Sequence, residues 1–202
     1  MTRSPPPTDP TQLRMVAREC SDLLDMLYQG CYSYDAAMAV AEDAYKALED
    51  KSVPLVCRKL VRIDGTSHTF DLNYFLADAH TKPDLALAMK RAWVGGAILE
   101  AAAKLDEYDF FDRKFPQLEM IYHLRNGIAH GNRFNITPAG EKRLSANPAH
   151  TRLSVAQGVG KFQITPALNG KTVLFDYVDV ADIVDVLQSA HWVLAKIAEG
   201  SP

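Results

Sequence analysis

Five stretches of this chain repeat apolar residues every three or four positions, the spacing that lines one side of an α-helix. In the first, Leu13, Val16, Ala17, Cys20, Leu23, Leu24 and Leu27 follow a cap at Thr11 and lead to a helix end near Gly30. A second opens at Ser33 and carries Ala37, Val40, Ala41, Ala44 and Leu48. A third starts after Pro83 with Leu85, Met89, Ala92, Gly96, Leu99 and Ala103 on one face. A fourth spans about Pro116 to His130, with Gly131 where a left-handed residue closes a helix. The last, about Val180 to Ala198, carries Ile183, Val184, Leu187, Ala190, Leu194 and Ile197.

Between these stretches the pattern is weaker. Residues 1–10 include four prolines and read as a solvated tail. Residues 53–82 fit either a hairpin turning at Asp64-Gly65 or a short helix followed by a loop. Residues 135–158 read as a polar loop. FQIT and KTVLF, separated by PALNG, read as a small β-hairpin. The expected architecture is therefore all-α, a bundle of about five helices with a small hairpin inserted before the last one. It forms a single domain over residues 11–199.

Composition narrows the function classes. Twenty-two basic against 25 acidic residues give a formal charge of -3, so no bulk attraction to nucleic acid or anionic membrane is expected. No apolar run approaches the roughly 20 residues that cross a bilayer. The segment MTRSPPPTDPTQ lacks the apolar block of a secretory leader, so the expected location is cytoplasmic, with no membrane partner. Cys20, Cys31 and Cys57 are an odd set without CxxC spacing and read as buried reduced thiols, neither disulfides nor a metal site. HExxH, GxxxxGK[ST], GxGxxG and GxSxG are all absent, which removes the main warrants for metalloprotease, P-loop, dinucleotide and serine-hydrolase readings. No metal and no cofactor are expected.

The segment IYHLRNGIAHGNRF, residues 121–134, carries the chemistry. At about 100° per residue from Leu118, its apolar side chains centre near 320°, and Arg125 falls at about 340°. A guanidinium there costs several kcal/mol unless an anion meets it, so Arg125 is expected to have a partner. That partner is either an internal carboxylate (Glu19, Asp22, Glu42 or Glu100) or a phosphate entering a pocket. His130 lies in the last turn, where an imidazole can take and return a proton near neutral pH. Asn126 falls between the Arg and His directions. Between Ile121 and Arg152, five basic residues against one acid, Glu141, give a local charge of +4 and leave -7 on the remainder.

RNGIAH followed by glycine resembles the signature of the HEPN superfamily (higher eukaryotes and prokaryotes nucleotide-binding). That signature places an arginine, often followed by a polar residue, ahead of a histidine near the end of a helix, with four to six residues between the two. The sequence especially resembles the RN-x-x-AHG variants of bacterial defence and toxin–antitoxin proteins. The resemblance implies an all-α HEPN-like bundle whose motif helices face each other in a homodimer. It further implies metal-independent cleavage of RNA by the ribose 2′-hydroxyl. Arg125 would hold the phosphate, His130 would transfer protons and Asn126 would orient one of them. His123 would face the same cleft, and Arg133 and Lys142 would grip flanking phosphates. An antitoxin or regulatory protein is the further partner implied. The alternatives are a non-catalytic HEPN-like module that binds nucleotide, RNA or a partner, and an all-α structural protein in which the motif match is accidental.

Overall fold

The computed structural model describes residues 7, 9–40, 43, 45–46, 49–50, 57–150 and 163–200. Among them are six α-helices and two short antiparallel sheets: α1 (Pro10–Ala39), β1 (Cys57–Val61), β2 (Ser67–Asp71), α2 (Leu72–Thr81), α3 (Pro83–Glu107), α4 (Pro116–Ala129), α5 (Pro138–Ala146), β3 (Ala149–His150), β4 (Gln163–Ile164) and α6 (Val180–Glu199). The chain is thus mostly helical, as its periodicity predicts. None of the described helices is long and apolar enough to cross a membrane.

The chain divides into two compact units, residues 1–31 with 93–202, and residues 32–92. The larger unit is built on one apolar cluster. It contains Val16, Cys20 and Leu24 of α1, Ile98 and Leu105 of α3, Leu118, Ile121 and Leu124 of α4, and Ile183, Leu187 and Leu194 of α6. Phe110, completely buried, sits in a single 3-10 turn between α3 and α4. The α6 face is the one the sequence predicts, because that helix alternates cleanly between apolar and charged sides. Asp179 and Asp182 close its N-terminus as a reciprocal capping box, and Gly200 ends it at φ 79°.

In the smaller unit, β1 and β2 pair in register from Cys57 opposite Asp71 to Val61 opposite Ser67. The turn is at Asp64-Gly65, the hairpin alternative. Asp64 Oδ1 accepts from both the backbone N–H and the hydroxyl of Thr66 (2.9 and 2.7 Å), and Gly65 takes φ 81°. Asp71 ends β2 and caps α2 by accepting from Tyr74 N–H at 3.1 Å.

Several sequence expectations are corrected. The first helix does not stop near Gly30. It runs unbroken to Ala39, so Ser33 opens nothing. A lone mid-helix glycine costs only about 1 kcal/mol, and no proline follows to enforce a stop. Its N-cap is Asp9 rather than Thr11: Asp9 Oδ2 accepts from Gln12 N–H at 2.9 Å, with Pro10 as the first helical residue. Of the second periodic stretch, Ala41, Ala44 and Leu48 lie outside the described residues. On α3 the buried face is Val94, Ile98, Ala101 and Leu105, while Ala92, Gly96, Leu99 and Ala103 are exposed. AWVGGAILEAAA is apolar on every side, so periodicity alone does not choose its inner face.

Residues 138–146 form α5 inside the expected polar loop, capped by Thr137 Oγ1, which accepts from Gly140 N–H at 3.3 Å. The expected FQIT/KTVLF hairpin does not form. Gln163 and Ile164 pair with His150 and Ala149 instead, and Thr172 bridges to Arg133. Cys20 and Cys31 are buried, with burial pushing the Cys20 thiol up to about 12, but Cys57 is exposed on β1. Trp192 is 54% exposed. His191 beside it holds Ser21 through a 2.9 Å contact between Nδ1 and Oγ.

Candidate functional site

Helix α4 is pinned at both ends. Pro116 occupies its first turn. At the other end His130 is the C-cap, its backbone N–H donating to Asn126 O at 3.1 Å, and Gly131 follows at φ 79°. The next residue, Asn132, is also left-handed, at φ 62°. Asparagine tolerates that conformation better than most residues, and here its side chain is used as well. Buried Asn132 accepts from Leu174 N–H through Oδ1 (2.8 Å) and donates from Nδ2 to Leu174 O (3.3 Å), copying a strand pairing. Gly127 completes the junction. A Cβ built there would lie 2.5 Å from Val173 Cγ2, so no larger residue fits without a shift.

This junction decides which way α4 faces. The buried residues toward its C-terminal end are His123, Leu124 and Gly127. Their directions centre near 190°, not 320°. Arg125 therefore lies on the solvent side and is exposed, contrary to the expectation that it sits in the greasy arc. Two features mislead the periodicity. The first turns of α4 are buried on all sides, so their apolar residues carry no direction, and the tightest contact is made by a glycine, which has no apolar weight.

Arg125 donates from Nη1 to Asn126 Oδ1 at 2.9 Å. Among the described residues no carboxylate lies within ion-pair distance of it, so Glu19, Asp22 and Glu100 do not engage it; Glu42 lies outside the described residues. His130 is exposed at the helix end. Arg133 is also exposed, but turns to donate from Nη1 to Gly170 O at 3.0 Å.

Beside this helix end, α4 and α5 enclose a cavity of about 470 Å³. Tyr122, His123 and Asn126 line it from α4, Lys142 and Arg143 from α5, and Lys114 from the turn before α4. Among the described residues, no aspartate or glutamate lines it. Of the sequence-predicted residues, His123, Asn126 and Lys142 thus meet in one cavity, while Arg125, His130 and Arg133 lie outside its lining. Asn126 belongs to both groups, through the cavity wall and through Arg125.

The cavity has a rigid floor that the sequence did not reveal. Arg143 donates to the fully buried Glu119 through Nε (2.6 Å to Oε2) and Nη2 (2.7 Å to Oε1), a bidentate pair. Nη2 also donates to Phe111 O at 3.0 Å, and the guanidinium carbon lies 4.0 Å from the centre of the Tyr122 ring. Tyr122 packs edge-on against both Phe111 and His123. The Glu119 carboxylate raises the pKa of Arg143 above its already high value. His123 is 5% exposed, and its Nε2 is buried without a hydrogen-bond partner. Burial, with the nearby Arg143 charge, pushes its imidazole down to about 4, so it is neutral at physiological pH.

No group of three or more His, Cys, Asp or Glu side chains is placed to hold a metal among the described residues. No family model, curated protein or solved structure matches the chain.

Proposed function

We propose that this chain is a HEPN-like endoribonuclease that cleaves RNA through the ribose 2′-hydroxyl and needs no metal. The observation that carries this reading is the state of Arg125. The guanidinium is solvent-facing, held by an amide rather than a carboxylate, and set in the same short helix end as an exposed histidine. One Nη1 donor is used on Asn126, which leaves the other N–H groups for phosphate oxygens. In this reading His130 accepts the proton of the 2′-hydroxyl as its oxygen attacks phosphorus. The bond from phosphorus to the 5′-oxygen breaks, and that oxygen takes up a proton as it leaves. The ends are a 2′,3′-cyclic phosphate and a 5′-hydroxyl, and DNA is spared because it has no 2′-hydroxyl. Arg125 stabilises charge that builds on the phosphoryl oxygens.

Two copies with facing α4 ends would bring a second Arg125 and His130 to the same phosphate. A homodimer, a cytoplasmic setting in bacterial defence or a toxin module, and an antitoxin or regulator belong to the same proposal. The test is cleavage of end-labelled RNA and of a DNA of the same sequence in excess EDTA. Wild type is expected to cut only RNA and to leave cyclic phosphate ends, and R125A and H130A are expected to be inactive. Retention of cleavage by both variants would overturn the assignment. Binding of RNA without cleavage, by every preparation, would leave the non-catalytic module as the better reading.

A further inference from the structure

The cavity between α4 and α5 holds a second set of groups, which the cleavage steps above do not use. Its lining is cationic and amide-rich, and among the described residues contains no acid. The Arg143 charge is balanced by Glu119 behind it, so net attraction for an anion comes from Lys142, which has no ion pair among the described residues. Lys114 is paired with Asp112 at 3.8 Å and also donates to Phe111 O at 3.3 Å. The same Glu119 and Phe111 contacts occupy Nε and Nη2 of Arg143, leaving Nη1 without a partner among the described residues. Helix α5 forms another wall along its length, from Thr137 to Asn147.

An independent feature is His123. Buried polar nitrogens left unpaired are uncommon, because each forfeits the bonds it would make to water. His123 lines the cavity, its Nε2 out of reach of solvent, beside a Tyr122 ring already fixed by Arg143. A volume of about 470 Å³ lies within the ordinary range for small-molecule sites.

The geometry points to this cavity as a pocket for one nucleotide unit, with its phosphate on Lys142 and Arg143 Nη1 and its base or sugar against the Tyr122 and His123 side chains that line it. It rests on the RNA reading for the source of that unit, which Asn126 then places next to the phosphate held by Arg125. A free mononucleotide offers the same chemistry.

The experiment uses the full chain carrying H130A, so that no substrate is consumed. Calorimetry is run with adenosine 5′-monophosphate, adenosine, inorganic phosphate and a 2′-O-methylated oligoribonucleotide, while the His123 ring protons are followed by NMR. The mononucleotide and the oligomer are expected to bind and to move the His123 resonances. Adenosine and phosphate alone are expected to bind at least tenfold more weakly than the mononucleotide. K142E, at an exposed position, is expected to weaken both nucleotide ligands at least tenfold, and H123L at least fivefold. An oligomer that binds more tightly than the mononucleotide supports the strand as source, and equal binding supports the free nucleotide. Unmoved His123 resonances at saturation, or affinity within twofold in K142E, would overturn the pocket. Should wild type fail to cut RNA while the mononucleotide binds with this dependence, the nuclease reading falls and the pocket stands. Should wild type cut RNA while K142E binds and cuts equally well, the pocket falls alone.

Discussion

Acidification should destabilise this protein through one identifiable side chain. His123 is buried and held neutral, with its pKa pushed down to about 4 by burial and by Arg143. An unfolded chain returns it to about 6.5. The folded value lies below the unfolded one, so the unfolded state binds the proton first, and the stability tied to His123 is lost as pH falls from about 6.5 toward 4. With these two values the loss between pH 7 and pH 5 is about 2 kcal/mol, rising to about 3 kcal/mol at pH 4. H123L removes the titration while conserving volume. Urea unfolding followed by circular dichroism at pH 7 and pH 5 isolates the effect as the change in the wild-type minus variant difference, since all other carboxylates and histidines cancel. The expected change is about 2 kcal/mol in favour of the variant at pH 5. A change under about 0.5 kcal/mol, or an NMR titration of folded His123 centred near 6.5, would refute the reasoning.

Other substitutions separate site from scaffold. R125A and H130A alter exposed positions, so each is expected to move folding stability by no more than about 0.5 kcal/mol in chemical denaturation while abolishing RNA cleavage. R143A leaves the Glu119 carboxylate buried and unpaired, and should cost about 3–5 kcal/mol at pH 7 by the same measurement. G127A improves intrinsic helix propensity, yet its methyl group meets Val173, so a net loss of about 1–3 kcal/mol is expected. At Asn132, alanine loses both hydrogen bonds to Leu174 and is strained at φ 62°, whereas glycine loses only the bonds. N132A is therefore expected to melt below N132G, and identical melting temperatures would contradict the account of the helix end.

The helices with one apolar side were legible in the sequence. For α6, polar residues mark the solvent face, and each expected core position is buried. The α4 boundaries were equally plain, because Pro116 and Gly131 punctuate them. What periodicity failed to give was rotation, on α3 because it is apolar all round and on α4 because a glycine marks the inner side. The pairing of Gln163 and Ile164 with residues 149–150 was hidden because a two-residue ladder has no pattern to read. Near the proposed site, Arg125, Asn126 and His130 were singled out by a local motif. Arg143 was missed because α5 was taken for loop, and Glu119 because nothing local distinguishes a buried carboxylate from a solvated one until its arginine is placed. Lys114 and Lys142 become neighbours of His123 only through the packing of α4 on α5.

The clasp between Asn132 and Leu174 joins positions 42 residues apart by two hydrogen bonds. His130 stands two residues before that clasp, so the chain leaving it is held by a distant stretch of backbone as well as by its own bond to Asn126. Val173 and Leu174 are themselves core residues, so a shift of residues 172–174, from a bound regulator or a neighbouring copy, would reach the helix end and the apolar interior together. The lever for switching such a site off lies outside the motif that names it.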